Sequence, residues 1–225
     1  MSYTTGAMRA LPKEPEAGFN GPHSAAIRIW HWTLFLVMTG SLITVLLAST
    51  VFRTGKNTLL VQNQLQTKGV IISSDQARAV SHAFNDKLWE LHKWLGYIIC
   101  GLVLARFAIE LGQPRSEKLN VQLKKVIHAK PNDPGAKAER QHYIQVKSIY
   151  LAFYAVLLLM ALTGLGLAFD NIPFLRSIRQ PVKQVHSFMQ YLIYGFLFIH
   201  LAGVIMAELG KHKGLVSGMI NGRRE

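Results

Sequence analysis

Four of the nine histidines in this 225-residue chain lie in or at the edges of long apolar stretches: His31, His92, His186 and His200. The clearest case is "HSFMQYLIYGFLFIH", which runs from His186 to His200. Fourteen residues turn about 1400° in an α-helix, roughly 40° short of four full turns, so both imidazoles share one face. Their separation along the axis is roughly 21 Å at 1.5 Å per residue. Imidazole can ligate a metal, relay protons or hydrogen-bond within a core. Which of these applies depends on what the elements around each histidine bring to it.

Those elements are apolar and long. Ile29 to Phe52, Ser148 to Phe169 and Gln184 to Ala207 contain no Asp, Glu, Lys or Arg. Each exceeds the roughly 20 residues that carry a helix across a bilayer core. A second span from about Leu88 to Leu111 is interrupted by Lys93 and Arg106, which can snorkel toward opposite faces. The spans are placed at 27–52, 87–112, 147–170 and 183–209. Trp30 and Trp32 suit the interface where the first begins, and Trp89 and Trp94 the interface of the second. Fifteen Lys and Arg residues fall on the side of the termini and eight on the other, so the positive-inside rule places both termini in the cytoplasm. His31 and His200 then share the cytoplasmic layer. His92 and His186 share the outer one.

Two neutral imidazoles facing each other across a bundle can fill both axial positions of a haem iron, and the macrocycle fills the apolar gap between helices. Core histidines hydrogen-bonded between helices are the plain alternative, which two matched layers disfavour. A proton relay asks for carboxylates at depth, and the middle of these spans has none. A zinc site asks for three or four converging ligands, which pairs 20 Å apart do not supply. Gly40, Gly96, Gly101, Gly164, Gly166, Gly195 and Gly203 lie in the spans, where they admit a flat cofactor or a close helix. Arg28 and Arg106, near the cytoplasmic ends, are candidates for pairing with haem propionates.

The formal charge of +13 accompanies a chain that is 50% hydrophobic. Because the basic residues lie between apolar blocks, they read as a skirt against anionic lipid, and no nucleic-acid partner is needed. Cys100 is the single cysteine, which excludes an intrachain disulfide and Cys-pair metal sites. The N-terminal stretch has no apolar run of signal-peptide length. The expected organisation is a cytoplasmic tail over 1–24, a four-helix domain over 25–210 and a second cytoplasmic tail over 211–225. In the loops, Ser74 is a candidate N-cap for the second span, starting the helix outside the membrane. "SEKLNVQLKKVIHA" reads as a short amphipathic surface helix ended by "PNDPG".

"RIWHW", "LHKWLGYIICGLVLARF" and the paired histidines of the fourth span resemble the bacterial cytochrome b561 / nickel-iron hydrogenase b-type cytochrome family. The resemblance covers roughly residues 25 to 222. It implies an all-α bacterial inner-membrane protein, a four-helix bundle enclosing two b haems. It also implies His31, His92, His186 and His200 as axial ligands, paired His31/His200 and His92/His186. The family passes electrons between a periplasmic redox partner and the quinone pool, as part of a larger oxidoreductase. A stand-alone superoxide:quinone oxidoreductase is the alternative, with Arg176, Arg179 and Lys183 steering a small anion.

Overall fold

A computed structural model describes residues 24–113, 118–128, 134–210 and 214–222. Most of the expected N-terminal tail, the turn at 131–133 and parts of the C-terminal tail lie outside these residues, as do His23 and His212. The described residues are helical with no strand. Four helices are long and apolar enough to cross a membrane. These are α1 (Ala25–Ser49), α3 (Ser74–Gly112), α5 (Pro134–Ala168) and α7 (Arg179–Leu209). Between them lie α2 (Thr54–Gln66), α4 (Leu119–His128) and α6 (Pro173–Ser177), and α8 (Leu215–Ile220) follows α7.

Local signals set several ends. Ser24 caps α1, accepting from the Ile27 amide. The cap of α3 is Ser73, one residue before the expected Ser74. Its hydroxyl accepts from the Gln76 amide at 3.1 Å, and the Gln76 side chain accepts from the Ser73 amide at 2.8 Å. This reciprocal box satisfies two amides that the first turn cannot. The expected surface helix is α4. Pro134 opens α5, where a missing N–H costs nothing.

The 39 residues of α3 span roughly 58 Å, nearly twice the apolar thickness of a bilayer. Its first turns therefore stand clear of the bundle, and α2 packs along them. Ala77 and Ser81 are fully or almost fully buried there, small enough to let α2 approach closely. The Asn85 amide donates to the carbonyls of Ala48 and Phe52, at 3.2 and 2.8 Å, and pins the corner between α1 and α2.

Within the bundle the backbones pack α1 on α3, α3 on α5 and α5 on α7. No comparable backbone packing joins α7 to α1 or α3 among the described residues. A gap therefore runs down that side of α7. A central apolar layer closes its middle: Trp30, Leu34 and Met38 from α1, Val103 from α3, Phe153 and Leu157 from α5, and Ile193 from α7. The outer surface is the reverse of a water-soluble one. Phe198, Met206 and Leu209 on α7 are 76%, 74% and 80% exposed, positions that fit contact with lipid chains.

Trp30 lies near the start of α1, as expected, but turns its indole into the bundle. It is 7% exposed, and its indole N–H donates to the Leu102 carbonyl at 2.7 Å. A buried indole needs such an acceptor, and the neighbouring helix supplies it. Trp32 donates to the Met219 carbonyl at 2.9 Å, which ties α8 back to the start of α1. Glu208 fixes the same turn from the other side. Its carboxylate accepts from the Gly214 and Leu215 amides at 3.1 and 3.0 Å. Gly214, at φ 83, makes the turn in the left-handed region. Both ends of the described chain thus meet at one end of the bundle.

Candidate functional site

The gap beside α7 is crossed at two levels by imidazoles. Toward the end away from the termini, His92 on α3 faces His186 on α7, with ring centroids 6.4 Å apart and planes at 89°. Toward the end that holds the termini, His31 on α1 faces His200 on α7, with centroids 6.2 Å apart and planes at 56°. Between the levels lies the apolar layer described above. Phe196 stacks on His200 at 5.6 Å and on Phe153 at 3.9 Å, so an aromatic column leads from one imidazole into that layer.

The spacing within each pair is that of two ligands on one metal. Two metal–nitrogen bonds of about 2 Å each, plus about 1.1 Å from nitrogen to ring centre on either side, ask for centroids roughly 6 Å apart. Among the described residues no cluster of three or more His, Cys, Asp or Glu gathers. Each pair would therefore serve a metal whose remaining ligands come with it, which is the ligation pattern of a haem iron.

The His92/His186 level is built in more detail. Thr163 Oγ1 lies 3.0 Å from His186 Nδ1, and it donates its own proton to the Leu159 carbonyl at 2.7 Å. On the other side of the gap Thr44 Oγ1 lies 3.0 Å from His92 Nδ1 and donates to the Ser41 carbonyl at 2.6 Å. Ser41 adds its hydroxyl at 3.2 Å and its carbonyl at 3.4 Å from the same nitrogen. A hydroxyl has one proton. Once that proton goes to a carbonyl, the oxygen accepts from Nδ1–H, and Nε2 is left with the lone pair. Both rings are thus held as the neutral tautomer that binds a metal through Nε2. Sequence reasoning missed these hydroxyls. The signal was present, since Ser41, Thr44 and Thr163 are polar residues inside otherwise apolar spans.

A cavity of about 550 Å³ opens between these two rings and is lined by all four long helices. Its walls are mostly apolar, including Met38, Leu157 and Ile193, a lining that suits a flat hydrophobic cofactor. Gly164 forms part of the wall. A Cβ there would stand 3.2 Å from His186 Cε1, so the ring occupies space that any other residue would fill. Of the remaining span glycines, Gly40 and Gly166 sit against Leu95 and Val182, whereas Gly96, Gly101, Gly195 and Gly203 have nothing close.

The two arginines singled out from the sequence differ in their surroundings. Arg28, one turn before His31, packs against Gly222, and its Nε and Nη1 are buried with no hydrogen-bond partner among the described residues. Arg106 is engaged. It pairs with Glu110 at 3.0 Å, and its Nε donates to the Tyr154 hydroxyl at 3.3 Å. Arg179 pairs with Asp170 at 2.7 Å, and Arg176 lies in the short α6.

The fold defines a four-helix membrane bundle whose long helices bring two pairs of imidazoles face to face. Residues 22–222 match the prokaryotic cytochrome b561 family, and the chain belongs to it. It is therefore a membrane-embedded b-type cytochrome that transfers electrons. No curated protein and no solved structure matches the chain.

Proposed function

We propose that this chain is the electron-transfer subunit of a quinone-linked oxidoreductase, with two bis-histidine b haems stacked across the bacterial inner membrane. His31 and His200 hold one and His92 and His186 the other. The observation that carries the reading is the pair of facing imidazoles at each level, at 6.2 and 6.4 Å. When bound, each haem supplies a one-electron iron couple at a potential that its surroundings tune. The chain's own residues do the rest. The histidines fix the irons at two depths, Ser41, Thr44 and Thr163 hold the tautomer at one of them, and the apolar layer keeps water from the space between.

In this reading both termini are cytoplasmic and electrons pass between a periplasmic partner and a quinone near the His31/His200 level. Arg28, whose Nε and Nη1 have no partner among the described residues, is the better candidate for a haem carboxylate there, because Arg106 already faces Glu110. The ion pair of Arg106 and Glu110 with Tyr154 gathers proton-holding groups at that end, which suits quinone chemistry. The overhang of α3 with α2 offers a rigid surface on the opposite side for the partner.

Purification in mild detergent tests this directly. Two non-covalent haems per chain by pyridine haemochrome, together with a stoichiometric soluble partner, are expected. A haem ratio near one or zero sinks the two-level arrangement. A second reading is a self-contained superoxide:quinone oxidoreductase, favoured by Lys93, Arg179 and Lys183 at the cavity between His92 and His186. Fast reduction of the lone chain by superoxide would select it.

A further inference from the structure

The cavity between His92 and His186 is not apolar throughout. Lys93, Arg179 and Lys183 line it, with Asp86 and Asp170. The cations are ordered along α7. Lys183 lies one turn from His186 and Arg179 one turn further, both on the face that carries the imidazole, since offsets of three and seven residues return to one side of a helix. Lys93 follows His92 directly on α3, so the two free ammonium groups come from opposite walls.

Pairing leaves these two lysines unmatched. Asp170 is taken by Arg179 at 2.7 Å, and Glu90, one helical turn before Lys93, is hydrogen-bonded by Lys87 at 2.9 Å and feels Lys93 only through space. Neither Lys93 nor Lys183 makes a salt bridge among the described residues. A slot with apolar walls, imidazoles across its middle and two unpaired cations on its rim is complementary to a flat apolar group with carboxylates along one edge.

We propose that Lys183 and Lys93 bind the propionate carboxylates of the haem held by His92 and His186, and so fix which edge of the macrocycle faces the aqueous end. This rests on the two-haem reading above. The two ammonium groups have a second effect. Positive charge beside the iron disfavours the ferric state, which carries one more positive charge than the ferrous, and so holds the potential up.

Redox titration of the haem-loaded chain, followed by electron paramagnetic resonance across pH 6 to 9, tests this. Lys183→Gln and Lys93→Gln are expected to lower the potential of one haem only, the one lost in His186→Ala. They are also expected to make that potential more pH-dependent, because carboxylates without their cations take up protons more readily. Lys183→Arg keeps the charge and should retain the wild-type potential. Unchanged potential and pH profile in both Gln variants overturn the proposal. So does a wild-type potential that moves with added phosphate, or with anionic lipid in the nanodisc, while the Gln variants do not respond. The lysines would then hold an exchangeable anion or a lipid headgroup. A wild-type chain with no haem at this level refutes the two-haem reading itself, before any lysine variant is compared.

Discussion

Thr163 holds His186 by one hydrogen bond of 3.0 Å whose direction is fixed by the threonine's own helix. Because the hydroxyl proton is already given to Leu159, the threonine can only accept. With His186 as the proposed haem ligand, it would make the imidazole more electron-rich and so favour the ferric iron. Thr163→Val removes that acceptor at nearly constant shape. The potential of the His92/His186 haem is expected to rise by on the order of 60 mV, a tenfold change in one-electron preference. Titration of the variant beside wild type checks this, and an unmoved potential would mean the hydroxyl only fills space.

The two imidazole pairs differ in twist, 89° at one level and 56° at the other. Crossed axial planes leave the two iron orbitals that bond to the rings closer in energy. The His92/His186 haem should give the low-spin signal with the larger maximum g value. Frozen-solution spectra of His92→Ala and His31→Ala assign each signal. Loss of the larger-g signal in His31→Ala would reverse the expectation.

Histidine replacement should be separable by level. His31→Ala and His200→Ala are expected to damage one haem, and His92→Ala and His186→Ala the other. Each leaves one axial bond missing, so a high-spin spectrum or haem loss is the readout. Size-exclusion profiles establish that each variant still inserts and folds. If His31→Ala and His92→Ala removed the same signal, the pairing by level would be wrong.

Gly164→Ala places a methyl 3.2 Å from His186 Cε1. The ring must give by a few tenths of an ångström, so the low-spin signal of that haem should shift, and Gly164→Val should abolish it. Gly195→Ala is the control, since nothing lies within 4 Å of its Cβ. It should leave both spectra unchanged and stabilise α7 by about 0.5–1 kcal/mol. Equal effects at the two positions would argue that helix propensity, not the imidazole, makes Gly164 matter.

The histidine levels were readable because α7 is an uninterrupted helix. Fourteen residues on such a helix fix face and depth together, and the alternation of successive spans fixes which neighbour shares each depth. Other features depend on contacts that no local pattern announces. The stretch that forms α2, "TGKNTLLVQNQLQ", has no side-chain cap at its start and mixes polar with apolar residues. It is held by Ala77 and Ser81 of α3, which are distant in sequence. Trp30 reads as an interfacial residue from its place at the start of the span, but that its indole turns inward follows from the carbonyl that Leu102 offers, which no local pattern announces. The overhang of α3 was anticipated from its capping serine, because a cap is a local device, and the actual cap is one residue earlier.

The separation of His186 and His200 along α7 also has an electrical meaning. Roughly 21 Å of helix axis is about two-thirds of a 30 Å hydrocarbon core. In the proposed two-haem arrangement, one electron moved between irons at these depths would cross about that share of the membrane potential. At about 2.3 kcal/mol per charge per 100 mV, the step is worth roughly 1.5 kcal/mol for every 100 mV, close to a tenfold change in where the electron rests. The distribution of charge between the two levels then depends on voltage as well as on chemistry. In the proposed two-haem arrangement an energised membrane would draw the electron toward its positive face, and the same four histidines would make the bundle responsive to the energy state of the cell.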